Sequence, residues 1–198
     1  DAETMRVTTS EVPVLNDMLD PNAGGPRLFD ISSSGTLVYF DTSSGMGSNE
    51  SLAIQRINLE GVVEDLTPER AAYGSIAVSR DETMIAVHIN PIESRQQQIQ
   101  VLELERNLKR TVSGEIAEGR LSRPLWHPSG RFLYFSKQSG EGEGVYRASI
   151  DGLTKPEQLD TAKEMRAGQY PWDISPDARH LMVGDDSWRK IYEYPIDD

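Results

Sequence analysis

An apolar segment, a short polar turn and a second apolar segment recur four times along the chain. The four copies are FDISSSGTLVYF from position 29, IAVSRDETMIAV from 76, PLWHPSGRFLYF from 124 and WDISPDARHLMV from 172. Alignment on the turn makes Ser32, Ser79, His127 and Ser175 equivalent, with steps of 47, 48 and 48 residues. A period of this length is typical of stacked supersecondary units that bury their apolar faces against one another.

Each repeat predicts four short strands. The first strand ends at the turn, and the second follows it with residues that are apolar on both faces, as in LVYF at 37–40. A strand of this kind is covered on both sides by neighbouring layers. The third strand alternates apolar and polar residues, as in QIQV at 98–101, and the fourth is shorter and more polar. In the second strands we expect four equivalent residues: Leu37, Met84, Leu133 and Leu181.

Two of the four repeats have a glycine in the turn between the first and second strands. Gly35 and Gly130 stand where a tight hairpin turn requires a positive φ. Glu82 and Ala178 occupy this position in the other two repeats. We therefore expect those two turns either to use another geometry or to accept backbone strain.

Helix-forming patterns are sparse, and the best is TAKEMRAG at 161–168, with Thr161 and Glu164 at capping-box spacing. The chain is therefore predicted to be all-β, a β-propeller built from four-stranded antiparallel blades. About four repeats are present, at 27–67, 73–113, 121–160 and 169–198. Residues 5–15 are predicted to add the outer strand of a preceding or closing blade.

The turn segments HPSGRFLYF and SPDARHLMV resemble the S-P-D-G-R-x-L-A-F repeat of the TolB-like propellers. Those six-bladed modules occur in the periplasmic protein of the Tol system, before the hydrolase domain of prolyl-oligopeptidase relatives, and linked to bacterial serine/threonine kinases. The segments VTTSEVPVL, SSSGTLVY and NLEGVVEDLT are most similar to the kinase-linked version. The resemblance extends from Met5 to Asp197. It implies a non-catalytic protein-interaction or sensor module of a larger bacterial protein, in an extracytoplasmic or periplasmic location.

The length of the chain departs from this family. Six blades with this period need about 290 residues, within the range of four to eight blades known for propellers, and 198 residues hold only about four repeats. Either residues 5–15 pair with KIYEYPID at 190–197 and close a small ring, or the chain is a fragment of a larger propeller. Unpaired strand edges expose rows of N–H and C=O groups, so an edge-to-edge dimer is the expectation where closure is impossible.

Composition narrows the possible partners. The chain has 20 Lys and Arg residues against 32 Asp and Glu, a net charge of −12, which disfavours binding to nucleic acid. No apolar run approaches the roughly 18 residues of a membrane span, and the first residues lack a signal-peptide pattern. The absence of cysteine excludes disulfides, thiolate nucleophiles and thiolate metal sites.

Catalytic and metal-binding patterns are not found in the sequence. There is no G-x-S-x-G nucleophile elbow, and three serines, Ser32, Ser79 and Ser175, occupy a repeated turn position where hydroxyls commonly cap backbone groups. The three histidines, His88, His127 and His180, lack metal-ligand spacing. We therefore expect no catalytic residue, no metal site and no cofactor.

A binding surface is expected where loops enter the inner strands around the central channel, because such loops vary while the sheets hold them rigidly. The residues at or beside these strand starts are arginine or tyrosine, both favoured in protein contacts: Arg27, Tyr73, Arg123 and Tyr170. They predict a site for a protein or peptide partner. The alternative function is the propeller gate of a prolyl-oligopeptidase-like serine peptidase whose catalytic domain is not in this chain.

Overall fold

The computed structural model describes residues 28–41, 52–91, 96–114, 116, 119–138, 141–159, 169–184 and 189–196. The predicted strand at 5–15, the predicted helix at 161–168 and the predicted site residue Arg27 lie outside these ranges. Within them, all regular secondary structure is β-strand. The all-β class expected from the sequence is confirmed.

The described strands form four antiparallel sheets, which we number as blades 1 to 4. Blade 1 contains β1 (Phe29–Ile31), β2 (Leu37–Asp41), β3 (Ala53–Ile57) and β4 (Val63–Asp65). Blade 2 contains β5 (Tyr73–Val78), β6 (Met84–Ile89), β7 (Gln98–Glu103) and β8 (Leu108–Thr111). Blade 3 contains β9 (Leu121–Trp126), β10 (Phe132–Lys137), β11 (Gly144–Ser149) and β12 (Glu157–Gln158). Blade 4 contains β13 (Tyr170–Ile174), β14 (His180–Gly184) and β15 (Ile191–Pro195). In each blade the strands pair in chain order.

The pairing of the first two strands fixes which residues are equivalent. The paired residues are Ile31 with Leu37, Val78 with Ile85, Trp126 with Leu133 and Ile174 with Leu181. The second strands therefore repeat with a constant step of 48 residues. The prediction was right at three positions and wrong at Met84, which lies one residue before the equivalent Ile85. The cause is the first turn, which is one residue shorter than the other three.

The apolar core is divided into three clusters, each between adjacent blades. The second strand of blade 2 contributes to two of them. Ile85 and Val87 lie in the cluster shared with blade 1, whereas Ala86 lies in the cluster shared with blade 3, and all three are fully buried. Their alternation explains why the second strands are apolar on both faces. The first strands of neighbouring blades contact one another, β1 with β5, β5 with β9 and β9 with β13, as the innermost strands of a propeller do.

All four inner turns contain the same short backbone hydrogen bond. The N–H of the fourth turn residue donates to the carbonyl of the first, at distances of 2.8–3.1 Å, and the donors are Gly35, Glu82, Gly130 and Ala178. Glu82 has a φ of 61° and Ala178 a φ of 60°, close to the 70° of Gly130. The two non-glycine turns thus keep the common geometry. They accept left-handed strain of about 1–2 kcal/mol per residue.

Candidate functional site

The two ends of the inner strands differ in structure. The turn end carries the four inner turns, at 32–36, 79–84, 127–132 and 175–180. The opposite end, where β5, β9 and β13 begin, we call the mouth. The described residues among the predicted binding residues, Tyr73, Arg123 and Tyr170, lie at the mouth.

Each of the three inner strands has a register irregularity near the mouth. In β5 it falls at Gly74, in β9 at Arg123 and Pro124, and in β13 at Trp172. Bulges of this kind bend a strand and re-aim side chains, and they are frequent beside functional sites. Trp172 lies 48 residues after Pro124, so the bulges in β9 and β13 are equivalent, whereas the bulge at Gly74 in β5 lies two positions earlier in the repeat.

Arg123 is the most strained residue of the mouth. Its φ is 55°, a left-handed value, and it precedes Pro124, which further restricts its backbone. A non-glycine residue held in such a region stores about 1–3 kcal/mol and persists only where its surroundings enforce it. Two contacts do so across neighbouring blades. The Arg123 N–H donates to Ser75 Oγ in blade 2 at 3.2 Å, and its guanidinium carbon lies 4.5 Å from the ring centroid of Tyr170 in blade 4.

The structure therefore brings two of the predicted site residues together and separates a third. Arg123 and Tyr170 form a cation–π pair that connects blades 3 and 4. Tyr73 is only 4% exposed and stacks on Phe40, with ring centroids 5.4 Å apart. Burial raises the pKa of the Tyr73 hydroxyl. In this structure Tyr73 contributes to the core between blades 1 and 2.

A buried polar group at the mouth was not predicted as part of a site. His88 is 6% exposed, and its Nε2 lies 3.2 Å from Gln97 Oε1. Gln97 Oε1 also accepts the N–H of Leu121 at 2.6 Å, which links blade 2 to the first residue of β9. Because Oε1 can only accept, Nε2 carries the imidazole proton. Nδ1 then has no hydrogen-bond partner among the described residues.

Burial lowers the pKa of His88 from 6.5 to about 4, so the imidazole is neutral near neutral pH. The sequence did contain one indication of this residue. His88 is the single ionisable side chain in MIAVHI, an otherwise apolar second strand. Its partner Gln97 comes from the start of the next strand, so the pairing depends on how the blade folds.

At the turn end the serines cap the backbone. Ser79 Oγ accepts the N–H of Met84 at 3.0 Å and donates to Asp81 Oδ1 at 2.7 Å. This hydrogen bond lowers the pKa of Asp81. Ser175 Oγ makes the same two kinds of contact in blade 4. In blade 3 the imidazole Nδ1 of His127 replaces the hydroxyl and accepts a turn N–H at 3.1 Å. The capping role predicted for this repeated position is confirmed.

A second contact at the turn end crosses between blades. The carboxylate of Glu82 in blade 2 accepts hydrogen bonds from the hydroxyls of Ser34 and Thr36 in blade 1, the latter at 3.2 Å. The bond from Ser34 is the main cause that lowers the pKa of Glu82. The strained residue of this turn therefore joins two blades.

Neither end assembles a metal-binding cluster from the described residues, in which no group of three or more His, Cys, Asp or Glu side chains is close enough to hold an ion. No helix in the described ranges is long and apolar enough to cross a membrane.

Comparison with known proteins identifies the fold. No protein-family model matches the chain, and no curated protein sequence matches it. TolB from Acinetobacter baumannii superposes with a TM-score of 0.60 at 13% identity, over 84% of this chain and 42% of that one. A chain in a structure of the mitotic checkpoint complex superposes with a TM-score of 0.60 at 15% identity, over 98% of this chain and 57% of that one. A prolyl endopeptidase superposes with a TM-score of 0.57 at 15% identity, over 83% of this chain and 27% of that one.

At these identities the comparisons establish the architecture alone. The sheets match the blades of TolB-like propellers, and the predicted propeller fold is confirmed. The chain spans less than half the length of that TolB structure. The described residues form four blades of a partial propeller.

Proposed function

We propose that this chain is a non-catalytic protein-interaction module, and that it binds a peptide segment of a partner protein at the mouth, around Arg123 and Tyr170. The single observation that carries the proposal is the strained Arg123, which three blades hold in place. Strain of this kind clusters at ligand-binding positions because the surrounding structure must maintain it.

The chemistry of the pair fits a protein ligand. Arginine and tyrosine are enriched among the residues that dominate binding energies. Stacking on Tyr170 pre-orients the guanidinium, so less side-chain entropy is lost when a carboxylate or a backbone carbonyl binds to it. The fold match to a chain of the mitotic checkpoint complex supports the use of such propellers in protein assemblies.

The non-catalytic part of the proposal rests on how the candidate nucleophiles are used. Ser79 and Ser175 each engage both a turn N–H and a carboxylate, which suits a structural cap. Purified protein should stay at background in kinase, peptidase and esterase assays. Activity that disappears when one serine or histidine is replaced would contradict this. The extracytoplasmic location and the larger bacterial parent protein remain predictions from the family resemblance.

A peptide selection tests the binding surface. A random-peptide phage library is selected against the intact chain, and the enriched peptides are measured for affinity. Arg123→Ala and Tyr170→Ala should each weaken binding by about tenfold or more, the usual loss for a dominant contact residue. The matched control is Arg131→Ala, because Arg131 also lies over an aromatic ring, that of Phe132 at 5.5 Å, but at the turn end. Failure to enrich any peptide, or equal binding by the Arg123 variant, would refute the proposed surface.

The fold match to a prolyl endopeptidase favours a second candidate function. In this alternative the chain is the propeller of a serine peptidase and controls access to a separate catalytic domain. The coding sequence next to this chain distinguishes the two. A G-x-S-x-G nucleophile elbow downstream supports the peptidase gate, whereas kinase motifs and a transmembrane helix upstream support the interaction module.

A further inference from the structure

The charged side chains of the inner strands are divided between the two ends. Five carboxylates lie in the inner turns or in the last two residues of the strands before them: Asp30, Asp81, Glu82, Asp173 and Asp177. Three arginines lie in the same turns: Arg80, Arg131 and Arg179. Hydrogen bonds from hydroxyl groups lower the pKa values of Asp81, Glu82 and Asp177, so these side chains are ionised at neutral pH. Among the described residues, the turn end of the inner strands is therefore negative.

The mouth has the opposite sign. Arg123 is the one charged side chain in the rest of β5, β9 and β13. Lys137 pairs with Leu121, the first residue of β9, and is only 7% exposed. Its Nζ donates to the carbonyl oxygen of Glu141 at 2.5 Å, which is a neutral acceptor. Two cations of blade 3 thus lie at or beside the beginning of its inner strand.

A third cation lies in the same region. Arg120 immediately precedes β9, and its side chain is exposed. Burial and, to a smaller extent, the charge of Arg120 lower the pKa of His88, so this charge also acts at the mouth. His88 itself is neutral near neutral pH. The positive charge at the mouth therefore comes from arginine and lysine and does not depend on the histidine.

The described carboxylates around the mouth do not cancel this charge. Two of them, in blades 1 and 2, have cations of their own: Asp41 pairs with Arg70 at 3.2 Å, and Glu69 pairs with Lys109. Glu141 and Glu143 belong to the loop between β10 and β11, outside the inner strand. The beginning of β9 is therefore a positive region in a chain whose net charge is −12.

The geometry of Arg123 favours one kind of ligand group. Its guanidinium covers the Tyr170 ring, with 4.5 Å between the guanidinium carbon and the ring centroid, and both side chains are half-buried. The N–H donors of a guanidinium lie in its plane, so a group that approaches beside the ring meets two of them together. A carboxylate accepts two parallel hydrogen bonds from this fork and also neutralises the charge. A backbone carbonyl offers one uncharged oxygen to the same fork.

We propose that the peptide segment bound at the mouth carries a carboxylate, and that this carboxylate pairs with the guanidinium of Arg123. The inference rests on the proposed function, since it names the chemistry of the segment bound there. A net charge of −12 repels acidic peptides from most of the surface, so the local positive charge directs a carboxylate to the mouth. The carboxylate belongs either to an Asp or Glu side chain or to the C terminus of the segment.

Matched acid and amide peptides test this pairing. Peptides from a random library with free C termini are selected on the intact chain, and each enriched peptide is then synthesised in several forms. In these forms each Asp becomes Asn, each Glu becomes Gln, or the C terminus is amidated. One of these changes should weaken binding by about tenfold or more, the usual loss for a hydrogen bond to a charged group. Which change does so identifies the source of the carboxylate.

Arg123→Gly is the decisive variant, because glycine adopts the φ of 55° without strain and the fold is kept while the guanidinium is removed. In this variant the acid and amide forms should bind equally. Arg131→Ala is the matched control. It removes the same single charge from the turn end, where Arg131 lies over Phe132, and it should keep the full preference for the acid form.

The possible results separate this inference from the function on which it rests. If every amide form binds within about twofold of its acid form while Arg123→Gly still weakens binding, the carboxylate is wrong and the mouth remains the binding surface. A preference for the acid form that persists in Arg123→Gly would overturn Arg123 as its partner. If no peptide is enriched at all, the inference and the proposed function fail together.

Discussion

The mouth and the turn end lie at opposite ends of the same inner strands, yet they follow different rules. At the turn end one hydrogen-bonded turn is repeated in all four blades, and side chains cap its backbone. At the mouth, the bulge of β5 lies two positions away from the equivalent bulges of β9 and β13, and the buried Nδ1 of His88 has no partner among the described residues. The repeat therefore preserves the scaffold at one end and varies at the other.

Strain is also used differently at the two ends. At the turn end, Glu82 and Ala178 carry positive φ values because the shared turn requires them. At the mouth, the positive φ of Arg123 occurs in one blade alone among those described. Its contacts to Ser75 and Tyr170 hold it there. Strain that comes from a repeated turn indicates architecture, whereas strain confined to one blade indicates a local requirement such as binding.

The largest expected difference between the ends is in their response to acid. His88 has a folded-state pKa of about 4, below the 6.5 of an exposed imidazole. Between these values the unfolded chain binds a proton that the folded chain does not, so stability is highest above pH 6.5 and falls as the pH is lowered towards 4. The full loss is about 3 kcal/mol at 1.36 kcal/mol per pKa unit. Urea unfolding at a series of pH values measures it.

His88→Gln is the control for this experiment, because an amide can keep the contact with Gln97 but does not titrate. The variant should lose most of the slope between pH 6.5 and 4. The turn end should contribute only at the acid limit of that window, where Glu82, whose pKa is lowered from 4.5, begins to lose its stabilisation. The pKa of Asp81 is lowered, so its stabilisation is present above the ordinary carboxyl pKa and is lost only as the pH falls through the lower folded value. An unchanged slope in His88→Gln would show that another group is responsible.

The difference between the ends also explains what the sequence could predict. The turns and second strands are local patterns, so the fold class, the repeat and the capping serines followed from residue order. The position of a bulge is not local, because it depends on how each inner strand packs against the neighbouring blades. Tyr73 and Tyr170 both begin inner strands, yet Phe40 of blade 1 stacks on the former and Arg123 of blade 3 lies over the latter. The two tyrosines therefore differ in their surroundings only because of how the blades pack.

A smaller effect is expected from adding one methyl group at each end. A Cβ on Gly74 at the mouth would lie 2.3 Å from His88 Nδ1, so the buried imidazole or the bulge must move. Gly74→Ala should destabilise the protein by about 2 kcal/mol, within the range for overpacked sites. At the turn end, a Cβ on Gly130 has no neighbour within 4 Å, and Ala178 already adopts the same turn. Gly130→Ala should cost about 0.5 kcal/mol, the net of about 1–2 kcal/mol of left-handed strain and about 0.5–1 kcal/mol from the lost freedom of glycine in the unfolded chain.

Chemical unfolding of the two alanine variants at neutral pH measures both losses of stability. Gly74→Ala should also alter the pH dependence assigned to His88, because the imidazole is displaced. Gly130→Ala should leave that dependence unchanged. Equal losses of stability in both variants would contradict the close packing inferred for the mouth.

The smallest expected effect is a gain of stability at the turn end. Ala178→Gly removes left-handed strain of about 1–2 kcal/mol, and the added freedom of glycine in the unfolded chain offsets about 0.5–1 kcal/mol of it. The net gain should be about 0.5 kcal/mol, measured by urea unfolding of the intact chain. Glu82→Gly relieves the same backbone strain but removes the hydrogen bonds to Ser34 and Thr36. Exposed bonds of this kind contribute about 1 kcal/mol in total, so this variant should be slightly less stable than wild type. If both glycine variants gained stability equally, the hydrogen bonds to Glu82 would contribute nothing, and blade packing together with the hydrogen bond from the Val78 N–H to Asp30 would hold the turn ends of blades 1 and 2 together.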